Sequence, residues 1–559
     1  MLPTHTLKTS TSVPKFAHLI LPLALAITLA GCSKSQQYAH NDQVMAEPMP
    51  SPSPAPMADA YSANMKMSNM TTQDASGMVM PVPSPVESQE NYQKNAENEV
   101  KSTATQAVST LSLDVDTGSY ANVRRFIRQG QLPPADAVRI EELLNYFPYA
   151  DAAPTKQHPF AVSTELATSP WTADNLLLRV GVKAVDISAA KQPPANLVFL
   201  VDVSGSMDSP DKLPLAQASL RLLTQQLRPQ DRVSMIVYAG RTAVELPSTS
   251  GSEKAKILAA IDRLTAGGST AGEAALKLAY QEAEANLIKG GINRILMLTD
   301  GDFNVGISDI DDIKAMIEKA RDRGVSLSTF GFGQGNYNEH LMEQVANVGN
   351  GNYSYIDSIE ESQKVLGEEL ASTFNTVAKD VKLQVEFNPA VVKEWRLIGY
   401  ENRVLNEQDF KNDKIDAAEI GAGKSVVALY EITPVGNTGL LADRRYGNQA
   451  AAPTGKNNEL AFLRTRYKQP NGDTSTEFAV PIPAQVTRQP SADLMFSAAV
   501  AGYGQLLKNS KYRGQWSYAQ SAELAQHGLG VDQKGYRADF IKLVKLTDSV
   551  AKSGRVQAD

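Results

Sequence analysis

Between residues 196 and 378 the chain alternates two hydrophobic patterns. Short apolar runs, NLVFLVD (196–202), RVSMIVYA (232–239), RILMLTD (294–300) and SLSTFGFG (326–333), carry few polar interruptions. Between and after them, apolar residues recur every three or four positions, as in DKLPLAQASLRLLTQQL (211–227), SEKAKILAAIDRL (252–264), AGEAALKLAYQEAEANL (271–287), SDIDDIKAMIEKARDR (308–323), YNEHLMEQVANV (337–348) and SIEESQKVLGEELASTFNTV (358–377). Apolar strands alternating with amphipathic helices predict a mostly parallel sheet covered on both faces. The expectation is a doubly wound, Rossmann-like α/β domain over 193–379.

The flanks have a different period. DVKLQVEF places Val381, Leu383, Val385 and Phe387 on one face, and KSVVALYEI (424–432), LAFLRTRY (460–467) and TEFAVPIP (476–483) follow without intervening helices. That pattern predicts an antiparallel β-sandwich over 380–487. FAVSTELA (160–167) and LLLRVGVKAV (176–185), within 151–192, are strand-like but have no neighbouring partner, so they are expected to complete the sandwich, with the α/β domain inserted into it. Helical spacing over 119–127 and 135–147 marks an N-terminal helical segment (106–150), and three further stretches mark a C-terminal one (488–559).

Residues 32–105 are rich in Pro, Ser, Met and Asn without apolar periodicity, and read as a flexible tether. Ahead of them, Lys8 and Lys15 precede the apolar run LILPLALAITLAGC, which ends at the single cysteine, Cys32. The run is too short for a spanning helix and has the form of a secretory signal over 1–31. "LAG" before Cys32 resembles the lipobox of bacterial lipoproteins, in which the chain is cut before the cysteine and that residue is lipidated. Ser33, rather than Asp, implies by the same resemblance a lipid anchor in the outer membrane of the cell envelope.

The composition, 42% apolar and 21% charged over 559 residues, is that of a globular protein of two or three domains. The formal charge of −7, with Lys and Arg dispersed among acids, gives no pull toward nucleic acid. With Cys32 lipidated, no disulfide is available, and stability must come from packing or metal.

Ligands of doubly wound sheets bind beyond the carboxyl ends of the strands. Asp202, Ser204 and Ser206 leave one such end, Asp300 leaves another, and the glycine-turned loop LTAGGSTAGEAAL (264–276) supplies Thr270. Two carboxylates and three hydroxyls suit a hard cation, Mg²⁺ first, with Mn²⁺ or Ca²⁺ as alternatives. Each residue also has a plain structural use: Thr270 with Glu273 forms a capping box, the serines can satisfy turn amides, and Asp300-Gly301 can be a turn. Together the five match the metal-ion-dependent adhesion site of the von Willebrand factor A domain, D-x-S-x-S, a Thr before a helix, and the Asp of T-D-G. The resemblance implies that the hydroxyls touch the metal, that the acids act directly or through water, and that one coordination position accepts an Asp or Glu of a protein partner. LDVDTGSYANVRRFIRQGQLPPADAVRIEELLNYFPY (113–149), WRLIGYENRVL (395–405) and DAAEIGAGKSVVALYEI (416–432) resemble the flanking segments of the YfbK-like group of such proteins.

Asp116-Thr117-Gly118 has the tripeptide of aspartic proteases, but no second copy follows, and that chemistry needs two carboxylates sharing a proton. Its plain reading is a strand end and helix cap. HExxH, GxSxG and P-loop motifs do not occur. The expectation is a membrane-anchored binding protein rather than an enzyme. The alternatives left open are a metal-stabilised scaffold of the envelope and an accessory subunit of an envelope enzyme or channel complex.

Overall fold

The computed structural model describes residues 89–556, apart from 156, 189–190, 269–271, 302–309, 370–371, 373, 443–457 and 471. The signal segment, Cys32, most of the tether and Thr270 lie outside the described residues.

In chain order the elements are β1 (Lys101–Ser102), β2 (Val108–Ser112), α1 (Gly118–Arg128), α2 (Ile140–Asn145), β3 (Phe160–Thr168) and β4 (Leu176–Ala184). Then come β5 (Ala195–Asp202), α3 (Leu213–Gln226), β6 (Arg232–Ala239), β7 (Arg241–Ser250), α4 (Lys254–Asp262), α5 (Gly272–Ala285), β8 (Ile292–Thr299), α6 (Ile310–Arg321), β9 (Ser326–Phe332), α7 (Glu339–Val348), β10 (Tyr353–Ile356) and α8 (Ile359–Ser362). The remainder is β11 (Thr376–Phe387), β12 (Val392–Ile398), β13 (Val404–Leu405), β14 (Ile420–Gly421), β15 (Ser425–Pro434), β16 (Glu459–Lys468), β17 (Ser475–Pro483), α9 (Ala492–Leu507), α10 (Tyr518–His527) and α11 (Tyr536–Val556).

One six-stranded sheet has the order β10-β9-β8-β5-β6-β7, parallel except for the edge strand β7. Successive residues of β5 serve opposite faces. Leu197, Phe199 and Val201 pack with α3 and α4, while Val198 and Leu200 pack with α5 and α6. That alternation makes the strand apolar throughout and the sheet doubly wound. The chain leaves β5 for β6 on one side and returns to β8 on the other, so the crevice between the ends of β5 and β8 is the topological switch point.

The other strands form two facing sheets, β1-β12-β15-β4-β3 and β13-β2-β11-β16-β17, with β14 beside β11. Val180 and Val182 of β4, Ala428 and Tyr430 of β15, and Leu383 and Val385 of β11 fill the space between them. Strands β3 and β4 precede the parallel sheet and β11 to β17 follow it, so the α/β module is inserted into the sandwich. The outer face of the first sheet, through Leu177, Val427 and Leu429, is covered by α1, α2, α9, α10 and α11. The two helical segments, far apart in sequence, share one core.

The structure differs from the sequence reading in four places. The span 32–105 is not a tether to its end: β1 pairs with β12, Asn98 Nδ2 donates to Gly399 O at 2.7 Å, and Arg125 pairs with the buried Glu90. Residues 106–150 are not purely helical, because β2 lies between β11 and β13 in the sandwich. The helix expected over 358–377 ends early: α8 passes into a π-turn at Gln363–Glu368, and Val377 and Ala378 already belong to the sandwich core. Packing against β14 and β16 overrides the local helical spacing. Strands β7 and β10 of the α/β module carry no run of the kind that marked the other four.

Candidate metal centre

β5 and β8 run side by side, with Val201 opposite Leu298, so Asp202 and Thr299 end together. Thr299 Oγ1 donates to Asp202 Oδ2 at 2.9 Å, and the Ser204 amide donates to Asp202 Oδ1 at 2.9 Å. The second bond closes an Asx turn that sends the chain back across the strand end. It brings the Ser204 and Ser206 hydroxyls within 2.9 Å of each other. The loop before Thr270 is tied to the same turn, Gly205 N to Gly268 O at 3.1 Å and Gly267 N to Val203 O at 2.8 Å. Gly268, at φ +88°, lies against the β6–β7 turn, where a Cβ would stand 3.1 Å from Gly240 N. Only glycine allows both that conformation and that approach.

Asp300 follows β8 directly and, like Asp202, is fully buried. Its Oδ2 accepts from Lys212 Nζ at 2.9 Å and from Asn336 Nδ2 at 3.3 Å, and Lys212 also donates to Asn336 Oδ1 at 3.0 Å. Gly301, at φ +83°, lets this turn press on the loop between β9 and α7, where a Cβ would meet Asn338 N at 2.5 Å. Burial pushes the Asp202 carboxyl up to about 6, opposed by hydrogen bonds from the Ser204 hydroxyl and amide and reinforced by the Asp300 charge.

Four of the five sequence-chosen residues therefore meet at the switch point, and Thr270 lies outside the described residues. Among the described residues no three His, Cys, Asp or Glu side chains approach one another closely enough to hold a metal. The donor set here is instead two carboxylates and the paired hydroxyls of Ser204 and Ser206. All are hard oxygens, and they fit a hydrated Mg²⁺-like ion better than a soft metal. Sequence reasoning missed Lys212, Asn336 and Thr299. The signal for Thr299 was its place in T-D-G; Lys212, in an amphipathic helix start, reads as an ordinary solvated cation, although the structure buries it.

Residues 196–368 match the von Willebrand factor type A domain, 372–550 the C-terminal domain of the uncharacterized protein YfbK, and 86–179 a von Willebrand factor model. The uncharacterized protein YfbK of Escherichia coli is 51% identical over 467 residues, 82% of this chain and 81% of that protein. The chain belongs to the YfbK-like family of von Willebrand factor type A proteins. A second uncharacterized relative, from Synechocystis, is 30% identical over 247 residues, 44% of this chain and 57% of that one. A solved von Willebrand factor type A structure from Catenulispora acidiphila aligns with 71% of this chain and 92% of its own, at 15% identity and a TM-score of 0.40.

Proposed function

We propose that the protein is a metal-dependent binding protein of the bacterial cell envelope, lipid-anchored through Cys32. Asp202, Ser204, Ser206, Thr270 and Asp300 hold a divalent cation, Mg²⁺ in the first instance, and a partner's Asp or Glu carboxylate completes its coordination. The observation that supports this most is the meeting of Asp202, Asp300 and the Ser204–Ser206 hydroxyl pair at one switch point. Because the hydroxyls are neutral and Lys212 answers Asp300, a bound dication would leave the site with a net positive charge. An arriving carboxylate is then attracted, and water excluded at the interface strengthens that attraction. When bound, the ion supplies one Lewis-acidic position; the protein residues orient it, and Lys212 fixes one Asp300 oxygen.

The scaffold alternative, in which metal locks the module to the sandwich, is less well supported, because that junction has other fastenings. Arg403 of the sandwich pairs with Glu343 of α7, and Arg321 of α6 pairs with Asp416. The test is uptake of Mg²⁺ by titration calorimetry, followed by envelope crosslinking of wild type and Asp202→Ala. Metal-dependent crosslinks lost in the variant are expected. No uptake, or crosslinks that survive EDTA, would sink the reading.

A further inference from the structure

Beside the candidate metal centre lies a cavity of about 230 Å³ with an apolar floor, Val203, Val237, Ala239 and Leu264, all buried. It shares chain segments with the centre. Val203 stands between Asp202 and Ser204, and Gly267, also in its lining, donates to Val203 O. Two arginines stand at its exposed edge. Arg263 Nε donates to Glu245 Oε1 at 2.9 Å and is neutralised by it. Arg241, exposed at the first position of β7, makes no ion pair among the described residues.

An apolar hollow and an unanswered guanidinium, immediately next to a cation-binding centre, are complementary to a particular ligand chemistry. One carboxylate would go to the metal, an apolar side chain on the same face of the segment into the hollow, and a second carboxylate to Arg241. Alternate side chains of an extended strand share a face about 6.6 Å apart, so positions i, i+2 and i+4 of one short segment present an acid, an apolar side chain and a second acid to one surface. A fork-shaped guanidinium is suited to bidentate carboxylate pairing. We propose that this cavity is a specificity subsite, and that the partner is an extended acidic peptide segment whose metal-binding Asp or Glu is flanked by a large apolar residue and a further acid. This rests on the metal-dependent reading above.

The test uses the whole chain and a phage-displayed random heptapeptide library, captured in Mg²⁺ and eluted with EDTA. Eluted peptides enriched in an acid two positions from an apolar residue, with a second acid two positions beyond it, are expected. A synthetic copy of one such peptide should bind Arg241→Glu about tenfold more weakly, and Ala266→Leu, which narrows the hollow, should bind it more weakly too. Mg²⁺ uptake by both variants should be unchanged. Peptides that need Mg²⁺ but show no apolar preference and bind Arg241→Glu as well as wild type would overturn the subsite while leaving the metal reading intact. An absence of EDTA-eluted peptides, with wild type forming a Mg²⁺-dependent dimer instead, would overturn the peptide and point to a second copy. Failure of Mg²⁺ uptake would overturn both.

Discussion

The protein carries two groups of buried acids in different surroundings. At the switch point, Asp202 and Asp300 face hydroxyls and one ammonium. Where the module meets the sandwich and the helical layer, Asp114, Asp116, Glu142, Glu339 and Glu343 are buried around two guanidiniums, with Glu141 beside them accepting from the Tyr400 amide. Arg139 reaches Glu142, Glu339 and Glu343, and Arg403 reaches Asp114, Asp116 and Glu343. In the first group the chain gives Asp202 hydroxyl and amide donors and answers Asp300 with Lys212; the second is answered by arginine forks from other segments. Acid density therefore does not distinguish the two regions. What distinguishes them is the donor set: mostly neutral hydroxyls and amides at the switch point, guanidiniums at the weld.

The weld should be the costlier to break. Arg139→Met leaves three buried carboxylates facing an apolar side chain, and a loss of about 3–5 kcal/mol at neutral pH is expected in denaturant unfolding. Acidification to about pH 5 should recover part of it, since the orphaned acids then take up protons. A variant as stable as its parent at neutral pH would show that the junction acids are already neutral and Arg139 incidental.

The same cluster sets a pH dependence for the unaltered protein. Burial, with repulsion from neighbouring acids, raises Asp116, Glu141, Glu142 and Glu339 above the ordinary carboxylate range. Burial likewise pushes Glu419 up to about 7. A folded state that keeps protons the unfolded chain releases is favoured at low pH, so this contribution is full below the ordinary carboxylate range and lost as pH rises to neutrality. Glu369 acts oppositely: against burial, Lys364 and Lys424 hold it down to about 2, and its contribution disappears as pH falls toward that value. Thermal melts should therefore peak at mildly acid pH and decline toward pH 8. A maximum at or above pH 8 would remove the raised acids from the account.

The switch point should respond to metal instead. Saturating Mg²⁺ at about a hundred times its dissociation constant is worth about 2.7 kcal/mol, seen as a higher melting temperature. Asp202→Ala should lose that gain while leaving the metal-free melt close to wild type. An equal Mg²⁺ effect in both proteins would place the ion elsewhere.

The two regions were unequally readable from the sequence. The switch-point acids stand at the ends of uninterrupted apolar runs, where a polar residue is conspicuous, and the parallel sheet follows from the same runs. The weld could not be read, because its partners are far apart in the chain: Arg139 meets Glu343 across 204 positions. Asp116-Thr117-Gly118 does open α1, with Thr117 at the N-cap position though without a side-chain capping bond; what the sequence hid is that Asp116 accepts from the Tyr353 amide at 2.9 Å and pairs with Arg403. Short strands such as β1 offer too few residues to show a period. The loop of Thr270 lies outside the described residues, so its part in the centre rests on the motif alone.

One stretch of chain joins the two regions, and it yields the smallest and sharpest expectation. The loop between β9 and α7 holds Asn336 against Asp300 and Lys212, and α7 then carries Glu339 and Glu343 into the weld. Across this loop runs the end of the N-terminal span: Gln89 N donates to Gly335 O at 2.8 Å, Asn91 N to Tyr337 O at 2.9 Å, and Gly335 N to Glu90 Oε1 at 2.9 Å. Glu90 is itself clamped by both terminal nitrogens of Arg125, at 2.9 and 2.8 Å. Glu90→Ala should remove the clamp and the Gly335 bond at a cost of about 1–2 kcal/mol. Its more telling effect should be local, with faster amide exchange at Gly335 and Asn91 and a few-fold weaker Mg²⁺ uptake as Asn336 loosens its hold on Asp300. Faster exchange with unchanged uptake would mean that the loop moves without the centre. The weld and the switch point would then be independent regions that happen to share one stretch of chain.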